Sequence, residues 1–308
     1  MRRLDLNNVS ELQDHINQID PSHFYSALTY YSWSFYGLDI SYHLVEDGIS
    51  FFGEPNLEKN LLHELLHDKF TPTQKVIVAP ITKPNQPDLF LALIKKQIDQ
   101  LDKNQPIFID DLTSIELEWL KTKYSLEVIH ENSSNFLYET KKLISLAGKN
   151  LQKKRNHLNF FLKEYEKDAT IKINNDVDFN QLEKFYLEWI NDWEDPTSYQ
   201  AELALFYAIR PLIDDGTLKL TALYYLEKII GFCVSYSVNN RCEIFIEHCD
   251  EKYRGSYQYL LSNSLKIHHI NDPLTDRQDD MGSASIFYSK LSYKPEFIIK
   301  RYLVKIIC

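Results

Sequence analysis

Glycine is scarce in this chain, with 8 among 308 residues. That scarcity excludes a collagen-like repeat, and 44% hydrophobic residues with 13% aromatics exclude a disordered chain. Cysteine is scarcer still. Cys233, Cys242, Cys249 and Cys308 show no C-x-x-C spacing, and three of them lie in strand-like sequence, which predicts buried reduced thiols and neither a zinc site nor a disulfide framework. No apolar run approaches the roughly 20 residues of a membrane span. The richest, from Leu218 to Tyr236, is broken by Lys219, Glu227 and Lys228. Two arginines open the chain, but Asp5, Asn7, Asn8 and Glu11 stand where a secretory signal has its apolar region, so a cytoplasmic location is expected. Positive charge is in deficit: 34 Lys+Arg against 44 Asp+Glu gives a net charge of -10. A generally basic nucleic-acid-coating protein is excluded, and only a local patch is left to bind phosphate. A nucleophile-elbow G-x-S-x-G, a Walker loop and a Rossmann G-x-G-x-x-G are also missing from the sequence.

A chain of 308 residues fits one large domain or two of about 150 residues each. No low-complexity linker marks a boundary, so it is read from the order of elements. Residues 10–19 pattern as a helix, and 41–45 with 49–53 as a hairpin around Glu46-Asp47-Gly48, Gly48 supplying a positive φ. A helix over 56–70, a strand over 75–80, a helix over 88–101, a strand over 106–110, a helix over 113–124 and a strand over 126–130 follow. After Asn135 the order restarts with an extended 136–138, a helix over 140–165 broken at Gly148, a strand at 171–173, and helices over 179–193 and 199–214. Three strands, 218–226, 229–237 and 242–249, form an antiparallel meander through the short connections Glu227-Lys228 and Asn239-Asn240. A helix from Gly255 to about His269 and a strand over 296–304 complete the chain. Helices on a largely antiparallel sheet, with a strand-to-helix loop at 250–255, make the second half acetyltransferase-like, and the first half reads as a weaker copy. The expected fold class is α/β (α+β), with two tandem acetyltransferase-like (GNAT-like) domains over 1–135 and 136–308, each a mixed, largely antiparallel sheet flanked by helices.

Four features bear on chemistry. His63-Glu64-Leu65-Leu66-His67 matches H-E-x-x-H, the pattern of zinc peptidases. At about 100° per residue, however, Leu61, Leu62, Leu65 and Leu66 share the apolar stripe and His63 and His67 face the other way with Asn60, so a solvated face and no metal are expected. Between Lys141 and His157 lie six Lys/Arg and no acid, a segment able to attract the phosphate of tRNA, a lipid head group or coenzyme A. Gly255 opens a helix after a strand, which can aim free backbone N–H groups at an anion. Lys252 and Tyr257 flank it where coenzyme A enzymes of this fold carry [R/Q]-x-x-G-x-[G/A]. Finally, Asp276-Arg277-Gln278-Asp279-Asp280-Met281-Gly282, with Lys290-Leu291-Ser292-Tyr293-Lys294-Pro295, supplies charges of both signs able to orient a polar substrate and move protons.

Together these residues resemble the phosphatidylglycerol lysyltransferase C-terminal domain family. Phe136-Leu137-Tyr138, Gly148-Lys149 and Lys153-Lys154-Arg155-Asn156-His157 follow its D-Y-[IV]-Y segment and G-K-x-x-x-K-[KR]-N-x-[IL]-N run. Gly255-Ser256-Tyr257-Gln258 follows its second segment. Arg277, Asp280 and Gly282 match N-R-E-x-D-[LM]-G, and Lys290, Ser292, Tyr293 and Pro295 match K-x-S-Y-x-P. Asp276 and Gln278 depart from that pattern, standing where the family has Asn and Glu. The resemblance implies a tandem fold similar to Fem-type aminoacyltransferases, and aminoacyl-tRNA or acyl-coenzyme A as the donor substrate, with no cofactor certain. The implied acceptor is an amine or hydroxyl of a small molecule or lipid head group. Such a reaction needs a base and oxyanion donors. Glu247 and Asp280 are the expected bases, and Arg277 and Lys290 the expected charge stabilisers. Lys149, Lys153, Lys154, Arg155, Asn156, His157 and Gly255 are expected to contact phosphate, and Tyr138, Tyr257 and Tyr293 to line the substrate cleft. The alternatives are a non-catalytic phosphate-ligand-binding protein of the same fold and an acyl-coenzyme A-dependent N-acyltransferase.

Overall fold

The computed structural model describes residues 1–56, 74–102, 104–191, 197–280 and 283–307. The H-E-x-x-H segment, nearly all of the helix expected over 56–70, Met281, Gly282 and Cys308 lie outside the described residues. In chain order the first elements are β1 (Arg2–Arg3), α1 (Val9–Ile19), α2 (Ala27–Ser32), β2 (Leu38–Val45), β3 (Gly48–Pro55), β4 (Val76–Thr82), α3 (Pro87–Ile98), β5 (Phe108–Leu112), α4 (Ser114–Lys121) and β6 (Ser125–Glu139). Then come α5 (Thr140–Ser145), α6 (Gln152–Glu164), β7 (Ala169–Ile173), α7 (Phe179–Asn191), α8 (Thr197–Ala208), α9 (Arg210–Asp214), β8 (Lys219–Tyr225), β9 (Lys228–Val238) and β10 (Arg241–Cys249). The last are α10 (Ser256–His268), β11 (Leu274–Asp276), α11 (Ala284–Leu291) and β12 (Phe297–Ile307).

Two compact units result: Met1–Asn132 with Gln200–Leu205 and Lys300–Cys308, and Ser133–Tyr199 with Phe206–Ile299. In unit 1 the strand order is β1-β2-β3-β4-β5-β12, antiparallel except for the parallel β4/β5 pair. Unit 2 has the order β7-β8-β9-β10-β11-β6, again antiparallel except for one parallel pair, β10/β11. The two units therefore repeat one topology, and in each the final strand comes from the end of a sequence half. Both are the mixed, mostly antiparallel layer with flanking helices expected from the sequence.

Local sequence explains most elements. Val9, Leu12 and Ile16 place one buried stripe along α1. Thr113 caps α4 in a box with Glu116. Two hairpin turns, Leu226-Glu227 and Asn239-Asn240, have both residues at positive φ, as the right-handed twist of the flanking strands demands, so the first turn sits one residue earlier than Glu227-Lys228. The hairpin at Glu46-Asp47 also forms, with Val45 opposite Gly48, but none of the three turn residues has positive φ. Gly48 is needed for space instead: a Cβ there would meet the Ile81 carbonyl and Leu93 at 2.9 Å. The expected helix over 140–165 divides at Leu146, which takes the left-handed conformation, and Gly148 at φ 95°. The expected strands at 126–130 and 136–138 are one, β6. Sequence reading missed the short β11 and α11 altogether.

The unit 1 core gathers Phe52, Ile77, Phe90, Ile109, Leu120 and Val304, and that of unit 2 Phe136, Phe161, Leu223, Leu260 and Leu265 with Cys233, Cys242 and Cys249. These three thiols are free and buried, as expected. Unit 1 also buries a charged pair. Asp111, one residue before the end of β5, takes the left-handed conformation (φ 63°), where its Oδ1 lies 3.5 Å from Arg301 Nε. The Tyr30 hydroxyl donates to its Oδ2 at 3.2 Å. Burial raises the Asp111 carboxyl to about 7, against the pull of Arg301. A folded-state pKa above the ordinary value gives a stabilisation complete below pH 4 and lost as pH rises through about 7. Unit 1 should therefore lose up to about 1.4 kcal/mol of stability per pH unit between about pH 4 and about 7, with no further loss from this group above that range. Asp111→Asn should flatten the dependence between pH 4 and 7, which urea unfolding at several pH values will measure. Parallel dependences in the wild type and the variant would place its origin elsewhere.

Candidate functional site

The site is built at the open end of the β10/β11 pair. These strands run parallel only from Arg241 opposite Leu274 to Glu243 opposite Asp276. Beyond that point β10 continues to Cys249 along β9, with an irregularity between Ile244 and Ile246 that inserts Phe245 as an extra residue. Because facing alternates along a strand, one inserted residue reverses every later side chain. It brings Glu247 to the face shared by Cys242, Ile244 and Cys249, where α10 packs.

Arg277, the first residue past β11, crosses to Glu247. Its Nη2 donates to Glu247 Oε2 at 2.6 Å, with side chains 11% and 7% exposed. Burial opposes the guanidinium charge, but Glu247, Tyr293 and Tyr138 more than offset it and raise the Arg277 pKa. Arg277 Nε and Nη1 and Glu247 Oε1 are buried with no hydrogen-bond partner among the described residues. Unsatisfied groups of this kind are rare in folded proteins and concentrate where a site must bind or react.

The loop carrying Arg277 is held from several sides. Its backbone N–H donates to the Phe136 carbonyl at 3.0 Å, and Gln278, at φ 53°, donates its N–H to Asp276 Oδ1 at 2.8 Å. Asp276 Oδ2 accepts from Asn135 at 2.7 Å. Lys290 Nζ donates to the carbonyls of Arg277 (2.5 Å), Gln278 (3.2 Å) and Asp279, while the Tyr138 hydroxyl donates to the Lys290 carbonyl at 2.8 Å. An ammonium has three donors, and all three of Lys290 go to backbone. Lys290, the other expected charge stabiliser, thus clamps the loop through its carbonyls. Asp280, the other expected base, is buried on the same loop, and its carbonyl accepts from Ser283 N–H at 2.9 Å.

Tyr293 forms the floor. Its hydroxyl accepts from Gln258 Nε2 at 2.6 Å, the Arg277 guanidinium lies 4.8 Å from its ring centroid, and Lys154 Nζ stands over the ring at 4.1 Å. Burial, and then Arg277, push the Lys154 ammonium down to about 8, against the pull of Glu247. The basic segment is consequently not one patch. Lys154 turns into the site, whereas Arg155 donates Nη1 to the carbonyls of Leu146 (2.6 Å) and Gly148 (2.9 Å), closing the break between α5 and α6. Lys149, Lys153 and Asn156 are exposed, as are Lys252 and Arg254, and His157 is partly buried near Arg254 and Lys154.

Gly255 begins α10 at φ 94°, and a Cβ on it would lie 2.1 Å from the His157 carbonyl oxygen and 2.9 Å from Phe161 Cβ. Between the basic helix and this turn there is, at this point, a closed backbone contact. Tyr257 is partly buried against the core, and burial pushes its hydroxyl pKa well up. Among the expected residues, Glu247, Arg277, Tyr293, Tyr138, Lys290 and Lys154 come together. Asn135 joins them unforeseen, and Gln258 and Asp276, named in the motifs without a site role, find their partners there, because nothing in spacing couples residues 141 positions apart such as Asn135 and Asp276. No cluster of three or more His, Cys, Asp or Glu arranged for a metal occurs among the described residues.

Gly255→Ala forces backbone apart at a positive φ and should destabilise the protein by about 3 kcal/mol or more. An unchanged urea midpoint would show that α6 can retreat from α10 without cost.

An uncharacterised protein of Mycoplasmoides gallisepticum (strain R(low / passage 15 / clone 2)) is 80% identical over 308 residues, the whole of both chains. The C-terminal domain assigned to a lysylphosphatidylglycerol synthetase of Agrobacterium fabrum superposes with a TM-score of 0.60 at 12% identity, over 96% of this chain and 91% of that one. FemX superposes with a TM-score of 0.62 at 10% identity, over 99% of this chain and 97% of that one. At such identities the two structures speak for the fold alone, which is acetyltransferase-like and of Fem type. The family described as phosphatidylglycerol lysyltransferase, C-terminal, matches residues 76–305, and the chain belongs to that family.

Proposed function

We propose that the chain is an acyltransferase that moves an aminoacyl group from aminoacyl-tRNA to an amine or hydroxyl of a small molecule or lipid head group. Residues 1–135 and 136–308 form its two acetyltransferase-like domains in this reading, and the second carries the reaction. The observation that supports it most is the buried Arg277–Glu247 pair, whose guanidinium keeps two nitrogens unpartnered. Acyl transfer develops negative charge on the carbonyl oxygen, and a fixed buried cation stabilises that charge far better than water does. Membership in a family described as a lysyltransferase agrees with an amino acid as the group transferred.

The α6/α10 contact favours aminoacyl-tRNA as the donor. Acyl-coenzyme A would need its pyrophosphate at the Gly255 turn, where the His157 carbonyl, itself an acceptor, already lies against the glycine. Aminoacyl-tRNA makes no such demand, and its phosphates can reach the exposed Lys149, Lys153 and Arg254.

Replacing Lys149, Lys153 and Arg254 together with Ala should weaken tRNA binding and lower the slope of log K against log salt by about 2 to 3, since each phosphate contact contributes about 0.7 to 0.9. Filter binding from 50 to 300 mM salt measures this, and an unchanged slope removes the patch from the interface. The activity itself is tested with total tRNA charged with labelled amino acids, offered phosphatidylglycerol vesicles or hydroxylamine as acceptor. Arg277→Met should reduce kcat/KM by about 10²- to 10³-fold. Binding without transfer by the wild-type chain would favour the non-catalytic alternative.

A further inference from the structure

We propose that Lys154 is the proton acceptor of the transfer step, its amine over the Tyr293 ring taking the proton of the attacking acceptor group beside the Arg277–Glu247 pair. The proposal rests on the transferase reading above.

Glu247, Lys290 and Lys154 meet around Arg277 in the site, and their partners separate them. Glu247 is committed to Arg277 through Oε2. Lys290 gives every donor to the loop carbonyls, so removing its proton would undo the loop. Lys154 alone of these three has no hydrogen bond or ion pair among the described residues, and it rests on an aromatic face. The groups facing it are Arg277 from the loop after β11, Glu247 from β10 and Tyr293 from the segment after α11, with His157 on its own helix. Arg277 and burial disfavour the ammonium and Glu247 favours it, leaving the amine at about 8. A base works best when its pKa lies near the operating pH.

The step balances without a co-reactant. As the acceptor nitrogen or oxygen forms its bond to the carbonyl carbon of the aminoacyl ester, its proton passes to Lys154 Nζ. The ester C–O bond then breaks, the ribose oxygen leaves with the electron pair, and it takes the proton from Nζ. The products are the aminoacylated acceptor and tRNA with a free terminal hydroxyl, and the amine is restored.

The test compares wild type, Lys154→Met and Lys154→Arg in transfer from charged total tRNA to phosphatidylglycerol vesicles and to hydroxylamine, from pH 6 to 9. Wild-type kcat should rise with pH and level off above about 8. Both variants should lose about 10²-fold or more in kcat, with KM within about 3-fold and the rising limb gone. Arginine keeps the charge and the ring contact but cannot release its proton, so rescue by Lys154→Arg would overturn the proposal in favour of a purely electrostatic cation. A rising limb unchanged in Lys154→Met would also overturn it while leaving the transferase reading intact. Absence of transfer by the wild type with both acceptors would overturn that reading and this proposal together. An independent measurement is competitive acetylation of the folded protein by acetic anhydride, in which Lys154 should become reactive with a midpoint near 8. A Lys154 unreactive up to pH 9.5 would exclude it as the base. Because Lys154 is partly exposed on α6, both variants should melt within a few degrees of the wild type.

Discussion

A guanidinium held inside a protein with only one of its three nitrogens bonded constrains everything around it. Desolvating Arg277 and Glu247 costs several kcal/mol per ion, and a single 2.6 Å contact does not satisfy both groups. Unit 2 sustains the arrangement by fixing its geometry in advance. The irregularity in β10 turns Glu247 inward, β11 stops after three residues so that Arg277 can cross, and Lys290 holds the loop by its carbonyls. Such fixed, incompletely satisfied charge does not reorganise when a substrate arrives, and electrostatic catalysis depends on that property.

The same strand order in unit 1 surrounds a different outcome. Past the parallel β4/β5 pair, where unit 2 has Arg277, unit 1 has Asp111 in the left-handed conformation, and the arginine comes from the terminal strand as Arg301. Asp111 is bonded by Tyr30, and burial rather than a neighbouring acid dominates its raised pKa. A shared topology thus puts charge at equivalent ends of two sheets, while the side chains decide whether that charge is tied into the core or left able to meet a ligand.

The basic segment shows how far charge counting reaches. Six cations without an acid read as one phosphate-binding surface, yet their environments divide them. Lys142 pairs with Glu139 and Glu296, Arg155 caps a helix break, Lys154 faces the site, and Lys149 and Lys153 remain outside. Residues one and two apart on a helix point in different directions, so a run in sequence is several sites in space.

What the sequence determined by itself were the properties set by near neighbours and by composition. The periodicity of α1, the Asn239-Asn240 turn, the helix break at Gly148 and buried reduced cysteines were all legible, because each follows from residues a few positions apart. The motif residues Arg277, Lys290 and Tyr293 were legible as a set, but their partners and tasks were not. Strict alternation along β10 would put Glu247 on the face of Glu243, and only the extra residue at Phe245 reverses it. Gly48 and Gly255 are each required by atoms far away in sequence, the Ile81 and His157 carbonyls. Lys154 differs from Lys153 because one lies over Tyr293 and beside Arg277 while the other meets water. Desolvation and close approach are properties of the packed chain, and no local pattern encodes which distant backbone will arrive.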